Sequence, residues 1–517
     1  MKIIPTKKEI NMKVNDRNRR IAALLLAILT VSVTLMSCGG GGGVKGGDGD
    51  KTAAQAEAAE TTQAEETGST APPYNYPDVD YEGASFRVYN PGEMWQMYVD
   101  LDHPEQTGEP LDDEVFKRNR RVEEMLNITV DEIEEADVHK IISTASASIL
   151  AGSDDYDVVY VGANLGQSMA TNGYFNDITK LDGLRLDEPW YDRQLLDSLS
   201  VAGKTFFGAS DFHLMIYDAS WPLFFNEDML TNLNMEFPYE MVRKGIWTID
   251  RFAEYQKAAV SPNGDDGWAW NMNGNCVYGM STHGDNAHNY FFYSTMARFI
   301  ELDKDRLPVF KADSELFYDR VTRIAALFDT KAGLTFKGHT SDFSAELGGY
   351  FYVFANGRAL FLTIGLKGAN QLREYDLAFG IVPFPKYDEA QEEYCTTTST
   401  NVLLFTIPVT CAALERTSVV LDVLSYESYV NVKPVFYETT VQQKGLRNEN
   451  SIEMLDYLFA NRGMDLGVQL GWATSLTNSI RTLLYNGEDG AASIVEAQRN
   501  AVEAKAAAYI EALEKQA

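Results

Sequence analysis

Three observations predict an α/β protein of at least two domains. Short apolar strands alternate with amphipathic helices in the order strand, helix, strand, helix, strand between Ala84 and Val161. That order implies a mostly parallel sheet. The run Tyr156-Asp157-Val158-Val159-Tyr160-Val161 is almost continuously apolar, as a strand covered on both faces requires. About 440 residues follow Pro77, more than one hydrophobic core accommodates.

The elements follow in order. Ala84 to Asn90 reads as a strand stopped by Pro91-Gly92. Leu111 to Asn127 reads as a helix whose inward stripe is Val115, the Arg118 stem, Val122 and Met125. Ile128 to Ile133 is a second strand. His139 to Ala151 is a helix with Ile141, Ile142, Ala145 and Ile149 inward and Gly152 placed to end it. Further strands are expected at Trp221–Asn226, Arg358–Thr363, Leu377–Val382 and Val402–Ile407. Helices are expected from Glu227, over Ile249–Ala259 behind a Thr248 cap, and over Ala412–Tyr429. From Ser451 the pattern is helical, ending in an Ala/Glu-rich helix from Ala491 to Lys515. No internal repeat stands out.

The N-terminus reads differently. Lys2, Lys7, Lys8, Lys13, Arg17, Arg19 and Arg20 precede a 16-residue apolar run, Ile21 to Met36, and then Ser37-Cys38. This is the layout of a secretory signal peptide, and the run is shorter than the ~20 residues of a spanning helix. Leu35, Ser37 and Cys38 resemble the lipobox of bacterial lipoproteins, which implies cleavage after residue 37 and lipidation of Cys38. Residues 38–78, rich in Gly, Ala, Thr and Glu, cannot bury a core and read as a disordered tether with a reach of about 35 Å.

Removing residues 1–37 takes away seven basic and two acidic side chains, moving the formal net charge from −31 to −36. So acidic a chain repels phosphate backbones, which points away from nucleic acid as a partner. Besides Cys38 only Cys276, Cys395 and Cys411 occur, with no metal-ligand or redox spacing. Free thiols and a single Cys395–Cys411 bridge both fit.

Catalytic signatures fail one by one. Gly203-Lys204-Thr205 lacks the upstream glycine of a phosphate-binding loop, since Ser198 stands there. Gly279-Met280-Ser281-Thr282-His283 misses the last glycine of a nucleophile elbow. Asn263-Gly264-Asp265-Asp266-Gly267 lacks the glutamate of a calcium loop. No enzyme, cofactor or metal is expected on these grounds, although the many acids alone do not rule out a glycosidase pair.

The segments in sequence then resemble the extracellular solute-binding proteins of bacterial ABC importers, the family that includes maltose-binding protein. The stretches that carry the likeness are Tyr156–Tyr160, Asn172–Thr179, Val201–Lys204, Phe224–Leu230, Pro238–Val242 with Trp247-Thr248, Phe354–Phe361, Gly380–Lys386 and Val402–Thr410. The resemblance implies a type II periplasmic-binding-protein fold, two α/β lobes joined by hinge strands around a ligand cleft. It places lobe one at 79–217 plus 400–446 and lobe two at 218–399 plus 447–517. It implies a lipid-anchored monomer on the extracellular face of a bacterial membrane, handing a small solute to an ABC permease.

Ligands of open α/β sheets bind beyond the carboxyl ends of strands, which selects Asn90, Trp95, Asn164, Asp218, Trp221 and Thr363. Sugars stack on aromatic rings and take paired hydrogen bonds from Asn and Asp, so Trp95, Trp221, Trp472 and Tyr290 are candidate platforms. Compared with the maltose-binding relative, Asn164 falls where a sugar-binding aspartate lies, and Tyr290-Phe291 and Trp472 where aromatics stack. Val161 and Leu165 depart from that pattern, which argues against maltose itself. Trp268 and Trp270 are further aromatic candidates. Two other readings keep the same address: a surface glycoside hydrolase with an acidic cleft, and a partner that presents ligand to a sensor kinase.

Overall fold

The computed structural model describes residues 72–268, 274–284, 286–338, 348–439 and 449–516. The signal peptide, Cys38, nearly all of the tether and Trp270 lie outside these residues. Ala71–Ala517 is one compact unit, and its described residues hold two larger sheets and two strand pairs.

The first sheet begins with β1 (Ala84–Pro91), β2 (Ile128–Glu135) and β3 (Val158–Val161), with β1 parallel to both others. The second contains β4 (Leu223–Asn226) and β5 (Tyr278–His283), and an antiparallel hairpin of β6 (Ile300–Leu302) and β7 (Pro308–Phe310) stands apart from it. It continues with β8 (Thr335–Gly338), β9 (Ala359–Thr363) and β10 (Phe379–Val382), in the order β10-β4-β9-β5-β8. After β11 (Thr396–Thr397), β12 (Leu404–Thr406) returns to the first sheet and pairs antiparallel with β3. The last strand, β13 (Arg462–Gly463), pairs with β11.

Local chemistry sets these elements. The helix Pro110–Leu126 starts on a proline, which has no N–H to leave unpaired, and carries Asp112 and Asp113 in its first turn. It stops at Asn127, whose φ of 49° is left-handed. Leu111, Val115, Val122 and Leu126 are buried. Met125 was expected on that stripe but is exposed, because the 3.6-residue period carries Val122 on to Leu126. Arg118 is buried whole rather than by its stem, beside the Phe212 ring. The helix Ile249–Ala259 forms as expected, but Thr248 gives it no side-chain cap. Val201–Lys204 is a tight turn, with Ala202 and Gly203 at positive φ. All three described cysteines are free, so Cys395 and Cys411 do not pair.

The chain passes from the first sheet to the second through Asp218–Pro222 and back through residues 398–402. These two passages touch: Ser220 bridges Thr398, and Ser399 N–H donates to the Ala219 carbonyl at 2.9 Å. A third strand joins them, where Arg462 Nη1 donates to the Ile216 carbonyl (2.8 Å) and Ser220 Oγ (3.0 Å) and pairs with Asp192.

At the N-terminal edge of the described chain, Tyr74 stacks on Tyr426 with ring centroids 4.1 Å apart. Its hydroxyl donates to Asp422, which also accepts from Arg185, Trp190 and Tyr191.

Candidate functional site

A cavity of about 560 Å³ opens where the two sheets face each other. That is the size class of small-molecule sites. Its walls come from the carboxyl ends of β1 (Glu93 to Met97), β5 (His283) and β9 (Ile364, Gly365, Lys367), and from the crossing segments (Asp218, Ala219, Trp221, Ser399, Asn401). Three strands of two sheets therefore deliver their following loops to one place, as the carboxyl-end rule requires.

The loop after β1 is held from beneath. Asn90 is fully buried, and its Nδ2 donates to the Val99 carbonyl (2.9 Å) and Glu132 Oε1 (2.7 Å). Glu132 Oε2 accepts from Leu101 and Asp102 N–H, both at 2.8 Å, while Asn119 Nδ2 reaches the Leu101 carbonyl at 2.9 Å. Burial pushes the Glu132 carboxyl up to about 7 against the pull of those donors. On this base sits a two-residue hairpin: Met97 N–H donates to the Met94 carbonyl at 3.0 Å. Its tip residues, Trp95 and Gln96, have φ of 48° and 62°. Left-handed backbone costs a non-glycine residue on the order of 1 kcal/mol, and such strain gathers at functional sites. The tip presents Trp95, 45% exposed, to the cavity. Across the cleft, Lys367 Nζ donates to the Trp95 carbonyl and Gln371 to Gln96.

The opposite wall is aromatic. Trp221 is half-buried and stacks on Tyr290 at 4.2 Å and 16° between planes, and Tyr350 stands edge-on to His283. Gly365 is required beside them, since a Cβ there would lie 2.9 Å from the Asp218 carbonyl oxygen. Asp218 forms the floor. It is 3% exposed, its Oδ2 accepts from Tyr98 N–H at 2.9 Å, and its Oδ1 has no hydrogen-bond partner among the described residues. Burial raises its carboxyl to about 6, against smaller pulls from Tyr98 N–H and the Lys367 charge.

Of the residues expected from sequence, Trp95, Asp218 and Trp221 meet in this cavity, with Tyr290 behind Trp221. Asn90 lies in the layer beneath. Thr363 is buried and donates to Thr282 Oγ1 at 2.7 Å, one residue short of the cavity wall. Asn164 turns its side-chain oxygen back to Leu165 N–H and is not among the lining residues. Trp472 is 3% exposed and packs on Tyr509 of the last helix, and Trp268 packs against Tyr278. His283, Tyr350 and Lys367 were not anticipated. The strand carrying His283 reads weakly because Gly279 interrupts it, yet a Cβ at Gly279 would meet Gln256 at 2.8 Å.

Two α/β lobes with a cleft at their crossing strands define a solute-binding protein. Residues 120–421 match the family of bacterial extracellular solute-binding proteins, and the chain belongs to that family. No curated protein matches the chain in sequence. Among solved structures, it is similar in fold to a cyclo/maltodextrin-binding protein complexed with maltotetraose (14% identity, TM-score 0.54, 82% of this chain and 97% of that one). An open-conformation sugar transporter from Rhizobium etli is comparably similar (13%, TM-score 0.54, 82% and 100%). So is an ABC substrate-binding protein from Listeria monocytogenes in complex with cycloalternan (12%, TM-score 0.52, 82% and 99%).

Proposed function

We propose that the protein is the membrane-tethered receptor of an ABC importer and that its solute is a carbohydrate. The observation that carries the reading is one cleft in which the indoles of Trp95 and Trp221 accompany the hydroxyl, amide and carboxylate groups of Ser399, Asn286, Asn401 and Asp218. Rings of C–H groups stack on indole, and hydroxyls take paired hydrogen bonds from such side chains. The glycans bound by the similar structures named above support a sugar as the ligand class.

In this reading Trp95, Asp218 and Trp221 touch the solute, Tyr290 and Asn90 hold the platforms in place, and Asn164, Thr363 and Trp472 act from further out. Lobe one comprises 79–217 plus 400–446 and lobe two 218–399 plus 447–517. They close by bending the three crossing strands, a shift between open and closed populations in which no bond is made or broken. Lipid on Cys38 and the tether at 38–78 keep a monomeric body beside its permease on the outer face of the membrane.

Tryptophan fluorescence titrated with malto-oligosaccharides and a wider glycan panel tests the reading. A saturable change lost in Trp221→Ala is expected, and a flat response to every glycan sinks it. Glu93 and Asp218 share the cavity, so a glycoside hydrolase is the second reading. Product release from a chromogenic glycoside by the purified protein would put it first. Metabolic labelling with palmitate, lost in Cys38→Ala, checks the anchor.

A further inference from the structure

We infer that the cleft selects a solute bearing a protonated amine over its neutral and carboxylate-bearing counterparts, an inference that rests on the carbohydrate reading above. Among the described residues, besides the His283 imidazole and the Tyr350 phenol, the titratable side chains lining the cavity are Glu93, Asp218 and Lys367, one negative charge in excess. Both acids flank the Trp95 hairpin. Glu93 Oε1 accepts from Gln96 N–H at 3.0 Å, and Asp218 Oδ2 accepts from Tyr98 N–H at 2.9 Å. The single lysine is already engaged, since its Nζ donates to the Trp95 carbonyl. An entering carboxylate would share that ammonium with the Trp95 carbonyl and face two acids.

Asp218 adds the second, independent observation. It is a buried carboxylate whose Oδ1 has no hydrogen-bond partner among the described residues, although the residue lies in the cavity wall. A buried acceptor left half-satisfied is costly, and a charged donor offsets that cost better than a neutral one. An ammonium in the cleft would also stand near the faces of Trp95 and Trp221, where a ring quadrupole attracts a cation. A hydroxyl gains neither full term.

The test compares three disaccharides of like size by calorimetry at about pH 7: the glucosamine dimer, its N-acetylated neutral form and digalacturonate. The expected order is amine, neutral, anion, with the amine bound at least about tenfold more tightly than the neutral sugar. Asp218→Asn and, independently, the exposed Glu93→Gln are each expected to shrink that ratio, and added salt should do the same. Neutral and amine forms bound equally, or the anion bound best, would overturn the inference while leaving the carbohydrate reading intact. No binding by any glycan would remove both. A ratio unchanged in both variants would also overturn it, because the selectivity would then not come from these acids.

Discussion

Replacing Asp218 by Asn removes a buried charge and keeps a carbonyl that can accept from Tyr98 N–H. Burial raises this carboxyl from 3.8 to about 6 in the folded protein. The difference is worth up to about 3 kcal/mol of folding free energy. The sign follows from proton binding. Between about pH 4 and 6 the folded state holds the proton that the unfolded chain has already lost. Acidification through that window therefore stabilises the wild type, and the benefit is gone once the pH rises above about 6. Asn carries no such term. Asp218→Asn is expected to be more stable than wild type at about pH 8, by up to ~3 kcal/mol or several degrees in Tm, with the gap closing to nothing below about pH 4. Thermal unfolding followed by circular dichroism across that range measures it. Glu132 and Asp465, also raised by burial, are present in both proteins and cancel in the difference. A gap independent of pH, or a variant less stable at pH 8, would show that Asp218 is not a strained buried charge. A ligand site that costs stability when empty is where such a residue belongs.

Other outcomes follow from the packing. Arg462→Ala removes a buried guanidinium and leaves the half-buried Asp192 without its ion-pair partner at the junction of the crossing strands, and is expected to cost about 3 kcal/mol in urea unfolding. Gly208→Ala drives a methyl to within 2.0 Å of the Phe405 ring and should cost about 1–3 kcal/mol or more, read as a lower midpoint at unchanged slope. Asp422→Ala strands donors on four residues, Tyr74, Arg185, Trp190 and Tyr191, and should speed protease cleavage between residues 72 and 83 well before the body is cut.

Elements whose side chains alone decide them were legible. Val158–Val161 and Ala359–Leu362 are apolar throughout because both faces are covered. The carboxyl-end rule selected Trp95, Asp218 and Trp221, which line one cavity, together with Asn90, Asn164 and Thr363, which do not. What stayed hidden depends on partners distant in sequence. Trp472 has the composition of a platform, and only the return of the last helix, with Tyr509, makes it core. The Trp95-Gln96 tip carries no glycine to announce a left-handed turn; it is held by contacts from Asn90, Asn119 and Glu132 below. Lys367 is one polar residue among many until Gly365 lets β9's loop come against Asp218.

The antiparallel return of β12 has a consequence for how the chain is born. Thr406 bonds to Val159 across 247 residues of sequence, so the apolar flank of β3 waits unpaired while everything between them is made. The five strands of the second sheet, Leu223 to Val382, all lie within that interval and need no residue from outside it to pair. The second sheet can thus finish pairing while the first still lacks its outer strand, and the slow, long-range step follows it. In an exported chain that interval leaves Val158–Val161 open to the wrong neighbour. Getting β12 home promptly therefore matters to yield as much as the cleft matters to uptake.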